Sequence, residues 1–318
     1  MDWLWLLLPL GAALFYSLRM FVVNYLTDQH FKRERIPPDV LVLAGVVSVG
    51  LLIIGLTAFF GFGVWQEASL WQILLLLCGG VANVIAFIPY YQSYKYEETT
   101  GVEIMVQMSP VLALGAAAIF LGETISWLQG VAFIIIFSAV LLLIIKAGAR
   151  KKRKMELHTA SLILIACVFW VAADLLLAPA ARDTGLPGSF VWYLLGELGA
   201  LVVAIVMAKK WRKGLMKFLR RGRVRKITLL VAAQIFYATG EVLYYSSLII
   251  MPIALAGVLT NVMGLMIVFI LGIVFSILWP KFGREELKRR TIVHHLVAVV
   301  LVAVGIILLN QTELLIGG

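Results

Sequence analysis

Tyr90-Tyr91-Gln92-Ser93 recurs 154 residues later as Tyr244-Tyr245-Ser246-Ser247. The same offset, without a gap, pairs Ala12 with Ala166, Phe15 with Phe169, Gly45 with Gly199 and Leu75 with Leu229. The chain therefore reads as one unit written twice. Each copy holds five apolar runs, and a unit with five crossings ends on the far side of the bilayer from its start. The second copy is expected to sit upside down relative to the first. Inverted repeats of this kind place a substrate site near the bilayer midplane, between the copies.

The apolar runs span 3–26, 39–61, 70–92, 101–121 and 126–146, then 157–178, 189–208, 227–250, 252–278 and 293–310. A helix needs roughly 20 mostly apolar residues to cross the hydrocarbon core. Of the 318 residues, 62% are hydrophobic and 14% charged. Mean hydropathy is +1.01. A soluble domain carries about a quarter charged residues. The expected fold is all-α and integral to the membrane: ten transmembrane helices as two inverted five-helix repeats. Residues 1–148 form the first repeat, 149–156 a basic cytoplasmic linker, 157–310 the second repeat and 311–318 a short tail. The first run lacks a basic leader and a small-residue cleavage site, so it reads as a retained span. Cys78 and Cys167 both fall inside spans and suggest neither a disulfide nor a metal site.

The chain has 27 Lys+Arg against 17 Asp+Glu. Their placement points to topology rather than to nucleic acid. Twenty-five of the 27 basic residues lie in the odd-numbered loops, leaving only Arg182 in an even loop and Arg19 inside a span. Basic loops stay in the cytoplasm. Both termini are then expected outside, in a multi-pass protein of the plasma (inner) membrane. The basic loops would also attract anionic lipid. The assembly is expected to be a monomer or a homodimer.

From Tyr94 to Leu143 the chain resembles the EamA-type family of the drug/metabolite transporter (DMT) superfamily. Lys95-Tyr96-Glu97-Glu98, Ser109-Pro110-Val111, Leu121-Gly122-Glu123 and Gln129-Gly130 carry the likeness. The second copy matches less well, since Gly264 stands where the first has Pro110 and the Leu-Gly-Glu turn is absent. The resemblance implies a ten-helix bundle and a secondary carrier, often an exporter of metabolites or drugs. It also implies cytoplasmic termini, whereas the loop charges imply the reverse, and the charge bias is the stronger signal. Glu123 reads as a structural cap beside the following helix start.

Ionisable groups inside spans are costly and usually face the bundle interior. Arg19, Asp174, Glu197 and Glu241 stand out. Residues three and four apart share a helix face, so Gln234, Tyr237, Glu241, Tyr244 and Tyr245 form one polar-aromatic stripe. Such a stripe suits a cation or proton site, the aromatic faces adding cation–π attraction. Equally, it suits a protonated Glu hydrogen-bonded to a neighbouring helix. Asp174 follows Trp170 by one turn, and the repeat equivalent of Arg19 is Ala173, so an Arg19–Asp174 ion pair is one expectation. Glu197 lies behind Trp192 and Tyr193 and would line a vestibule or reach the interface. Asn83, Gln107 and Asn261 are neutral amides within spans, and such groups often hold helices together. Helices five and ten carry almost no internal polar groups and read as peripheral scaffold.

The function expected from the residues is secondary active transport of a small molecule by alternating access. Proton-coupled export of a metabolite or organic cation comes first. Glu241 would hold the proton or the cation, with Tyr237, Asp174, Glu197, Trp170, Asn83, Gln107, Asn261 and Tyr244 around it. A carrier of an anionic metabolite or lipid-linked head group, with Arg19 as the contact, is the alternative. A non-transporting membrane protein or enzyme is a third reading. No metal spacing, phosphate-binding loop or nucleophile elbow occurs, so no cofactor is expected beyond a coupling proton or other ion.

Overall fold

The computed structural model describes residues 4–27, 36–61, 65, 68–97, 99–109, 112, 115–116, 119, 127–145, 150–184, 186–221, 224–250, 253–279 and 289–316. Among these residues there is no strand, and the chain runs through eleven helices. They are α1 (Leu4–Thr27), α2 (Pro38–Phe60), α3 (Leu70–Ser93), α4 (Thr99–Val106), α5 (Trp127–Ile145) and α6 (Arg150–Thr184). The remainder are α7 (Leu186–Met207), α8 (Lys209–Arg221), α9 (Val224–Ile250), α10 (Ile253–Leu278) and α11 (Arg289–Ile316).

Local chemistry sets several ends. Ser69 caps α3 by a reciprocal box with Gln72, which satisfies two backbone donors that the first turn leaves free. Two prolines open α2, where a missing N–H costs nothing. Gly61 closes it at φ 75°, a conformation that favours glycine.

Six described helices carry segments long and apolar enough to cross a membrane: Leu7–Leu26, Asp39–Phe60, Leu70–Ser93, Leu157–Leu177, Pro187–Met207 and Val224–Tyr244. Shorter apolar stretches run over Gly130–Ala139, Met263–Leu278 and His295–Gly305. Much of the fourth predicted span, with Pro110, lies outside the described residues. So do the Leu121–Thr124 turn with Glu123, Pro252, most of the loop after α10, and both chain ends. The expected linker at 149–156 is helical from Arg150, forming the first turns of α6. The expected tail at 311–318 is helical as far as Ile316.

Residues 209–221, read from sequence as loop, form α8. Trp211, Leu215 and Phe218 turn inward against the core. Lys209, Lys210, Arg212, Lys213, Lys217 and Arg220 are exposed. Half-apolar, half-basic helices lie along the membrane surface rather than across it.

Two packed regions make up the interior. In the larger, α3 lies against α6 and α7, α1 lies against α9 and α10, and α2 contacts α7 and α9. In the smaller, α5 pairs with α11 through Ala132, Ile136, Ala139, Ala298 and Val302. The closest approach in the larger region is the α3–α7 crossing. A Cβ on Gly196 would sit 2.7 Å from Leu77 Cα, and one on Gly80 would sit 2.6 Å from the Glu197 backbone nitrogen. Small residues let membrane helices touch backbone to backbone. This crossing fixes where Asn83 and Glu197, one turn and one residue beyond the glycines, meet.

Candidate functional site

Four helix faces converge on Arg19. On α1, Tyr16 and Arg19 are three residues apart and share a face. On α3, Asn83, Phe87, Tyr90 and Tyr91 follow helical spacing, with Tyr94 at its C-cap. On α7 the contribution is Glu197. On α9 it is Gln234, Tyr237, Glu241 and Tyr244.

Arg19 is 6% exposed. Its guanidinium donates to the Tyr91 hydroxyl. Its charge lies 4.1 Å from the Tyr237 ring centroid and 5.0 Å from that of Phe87. Its Nε is buried without a hydrogen-bond partner. The expected ion pair with Asp174 does not form among the described residues. Arg19 faces Tyr91 and Tyr237, while Asp174 acts on Glu241 and Tyr244 instead. The expectation rested on depth along each helix, which does not set the direction in which a side chain faces.

Glu241 accepts a hydrogen bond of 3.0 Å from the Tyr16 hydroxyl and a second from Tyr237. Gly240 makes the first possible: a Cβ there would lie 2.6 Å from the Tyr16 ring. Glu197 is buried and accepts from the Asn83 amide. Arg19, Glu197 and Tyr237 line a small cavity of about 20 Å³ together with Tyr91, Ser48 and Gln234. About 10–15 Å³ suffices for one water, so in this state the cavity has room for a water and must widen to admit a larger group. Ser48 lies 2.9 Å from the Gln234 amide oxygen and 2.9 Å from the Gly45 carbonyl. One hydroxyl proton cannot serve both, so the Gln234 amide fits better turned round, donating to Ser48. In either orientation, one end of this 1%-exposed amide has no partner.

The other predicted residues divide. Asp174 is exposed and does not line the cavity, yet it acts electrostatically on Glu241 and Tyr244. Trp170 packs on Tyr90 at 5.1 Å and on Phe87 at 5.8 Å, supporting the aromatic wall from behind. Gln107, just past the end of α4, is buried but bonds back to the Glu103 carbonyl at 3.4 Å. Asn261, its repeat mate, is exposed on α10. These two amides do not join the cluster.

One buried carboxylate escaped the sequence reading. Glu103 on α4 is 5% exposed and accepts from Tyr90 at 3.0 Å and Tyr94 at 2.9 Å. The Tyr90 and Tyr94 hydroxyls also lie 2.6 Å apart, closing a triangle of oxygens in which each hydroxyl proton makes one bond. Arg19 acts on Glu103, Glu197 and Glu241 alike. The available signal was the tyrosine pair one turn apart on α3. Chemically the cluster offers one fixed cation, a set of carboxylates that can exchange protons, and aromatic walls.

Comparison with known proteins agrees with the fold. A solved structure described only as "Crystal structure of protein" covers 97% of this chain and 96% of its own, with a TM-score of 0.60 at 13% identity. At that identity the likeness speaks for the fold alone. No curated protein matches the chain in sequence. The model of the EamA-like transporter family matches residues 3–145, the region that supplies Arg19, Asn83, Phe87, Tyr91 and Glu103. Over residues 3–145 the chain is similar to the EamA-like transporter family.

Proposed function

We propose that the protein is a proton-coupled secondary transporter that exports a small metabolite bearing both a negative and a positive group. The observation that carries this reading is that Arg19 and Glu197 line one cavity, with Glu241 one turn beyond Tyr237. The unpartnered Nε of Arg19 is a buried donor, and such a donor costs about 1–3 kcal/mol unless something accepts from it. An anionic group on the substrate would do so. A positive group would meet the carboxylates.

Proton exchange follows from the cost of charge. A charged carboxylate at the bilayer centre costs about 2.5–3.5 kcal/mol on insertion scales. Glu241 is therefore expected to hold a proton until a positive group arrives, then release it. Exchange of cationic group for proton is antiport. The packing fits two repeats, since exchanging α1 with α6 and α3 with α9 carries the α1–α9 contact onto the α6–α3 contact, and the loop charges argue for their inversion. Export is assigned on the family resemblance.

A purely cationic substrate is the second reading, favoured by the aromatic walls. It is weaker because Tyr237 already holds a cation, Arg19, at 4.1 Å. A binding screen of purified protein at two pH values, across organic cations, amino acids and anionic metabolites, tests the choice. Zwitterions should bind best, tighter at the higher pH, and Arg19→Met should remove that preference. Cations binding best, with Arg19→Met tightening them, would reverse it.

A further inference from the structure

Behind the cavity wall, where α3 meets α4, three side-chain oxygens touch in a closed triangle. The Tyr90 hydroxyl lies 3.0 Å from Glu103 Oε1 and the Tyr94 hydroxyl 2.9 Å from the same oxygen. The two hydroxyls are 2.6 Å from each other. All three residues are buried. None of them lines the cavity, but Tyr91, next to Tyr90 in the chain, does.

The triangle can be counted in protons. Three contacts need three protons, and two hydroxyls supply two. If both tyrosines donate to Glu103, the shortest contact has no proton, and two oxygens meet at 2.6 Å with lone pairs only. If one tyrosine donates to the other, one contact to Glu103 is empty. A proton on Glu103 Oε1 fills the gap: the acid donates to one tyrosine, that tyrosine to the other, and the last back to the acid. The lengths agree. A hydroxyl donating to an ionised carboxylate sits at about 2.5–2.7 Å, whereas both contacts to Glu103 are longer, as between neutral groups. Among the described residues no lysine, arginine or histidine bonds to Glu103. A carboxylate buried without a cation on it usually stays neutral. Of the helices packed on α4, α5 and α10 carry no ionisable side chain. Cys167 of α6 and Arg19 of α1 act on Glu103 from beyond hydrogen-bond reach, and Arg19 shares its charge with Glu197 and Glu241.

The ring sits where α3 is weakest. Pro89 interrupts the helix immediately before Tyr90. A proline has no N–H to give to the carbonyl one turn back, so its own backbone holds the segment beyond it less firmly. That segment carries Tyr91, to which Arg19 donates. The ring ties the segment to α4, and Asn24 of α1 bonds Thr99 at the start of α4 at 2.5 Å. α4 is thus joined both to the tyrosines and to the helix that carries Arg19. We propose that Glu103 is a positioning residue, a neutral carboxylic acid whose ring with Tyr90 and Tyr94 holds Tyr91 in place for Arg19. It acts through Tyr91 and takes no part in binding itself. Its consequence for transport rests on the zwitterion reading above, in which Arg19 meets the substrate; the ring itself does not.

Two substrate-free measurements on the purified full-length protein test it, so a failure here is distinct from a failure of that reading. The first is infrared spectroscopy at neutral pH, where an exposed glutamate, with a pKa of about 4.3, is ionised. The wild-type spectrum minus that of Glu103→Gln should contain the C=O stretch of a protonated carboxyl. Tyr94→Phe should shift that band to higher frequency, since it removes a hydrogen bond from the ring. Carboxylate stretches in place of the C=O band would overturn the proposal. The second is a double-mutant cycle in thermal melting. Tyr91→Phe should lower the melting temperature in wild type, and by as much in Glu103→Gln, whose amide both donates and accepts. In Tyr94→Phe, where the ring is open, the drop should be at most about half as large, because coupled neighbours are not additive. Should Tyr94→Phe fold poorly, Tyr90→Phe opens the ring from the other side. An equal drop in all backgrounds would show that the ring does not position Tyr91.

Discussion

The α5–α11 and α1–α9 pairs are both close helix contacts made through a glycine, yet they bury opposite chemistry. On α11, Gly305 lets Ile136 of α5 approach, with a Cβ placed there 2.5 Å from Ile136 Cγ1. The surrounding buried residues are apolar. On α9, Gly240 gives way to the Tyr16 ring, and the tyrosine reaches past it to Glu241. The first contact holds two helices together. The second delivers a hydroxyl to a half-buried carboxylate within the electrostatic reach of Arg19. Small residues are thus a shared packing device, and what distinguishes scaffold from site is the polar group that the close approach positions.

Four substitutions test that contrast. The largest effect is expected at the α3–α7 crossing, where neighbouring atoms are backbone and cannot yield. Gly196→Ala should cost about 4 kcal/mol or more, at the exceptional end for single changes, and thermal melting in detergent would show little folded protein. A near-normal melt would mean the two helices can slide apart and that Glu197 is not fixed by the crossing. Next comes Arg19→Met. Losing a buried charged contact typically costs about 2–5 kcal/mol, so transport in proteoliposomes should fall on the order of a hundredfold while the melt stays close to wild type. A variant that transports normally would remove Arg19 from the site.

Gly305→Ala sharpens the other side of the comparison. Here the obstacle is the flexible end of Ile136, so the expected cost is that of mild overpacking, about 1–3 kcal/mol. The melting temperature should drop, and transport per folded molecule should not change. If transport falls in proportion to nothing in the melt, the α5–α11 pair takes part in the cycle. The smallest effect is expected from Tyr16→Phe, which keeps the ring against Gly240 and removes only the hydroxyl. One hydrogen bond is worth about 1 kcal/mol, so transport should slow roughly fivefold. No change would make Tyr237 sufficient for holding Glu241.

Sequence revealed these two regions unequally. Hydropathy located the described membrane-length helices, because crossing a bilayer demands a long apolar run that nothing else in a chain imitates. Helical spacing found the Gln234–Tyr237–Glu241–Tyr244 stripe, since residues on one face of one helix are a local property. The partners across helices were invisible. Tyr16 and Glu241 are 225 positions apart, and no spacing rule links them. The expected repeat misled in a definite way: it matched Gln107 with Asn261 and Arg19 with the neighbour of Asp174, yet matching positions in a sequence does not say which helix faces meet. Glu103 was overlooked because it sits near the start of its span, close to Glu97 and Glu98, where a carboxylate reads as interfacial. For α8 the density of basic residues hid a helical period that Trp211, Leu215 and Phe218 in fact carry.

The central claim is that the carboxylate held by Tyr16 and Tyr237 couples transport to protons. Glu241→Gln tests it most directly, since Gln imitates the protonated side chain and can still accept from both tyrosines. The measurement is substrate flux in proteoliposomes under an imposed pH gradient, wild type against variant, with folding checked by melting. The expected result is a folded variant that still binds substrate but whose flux no longer responds to the gradient. Flux at the wild-type rate with an unchanged response would contradict the account, leaving Glu241 structural and passing the coupling role to Glu197, Asp174 or Glu103.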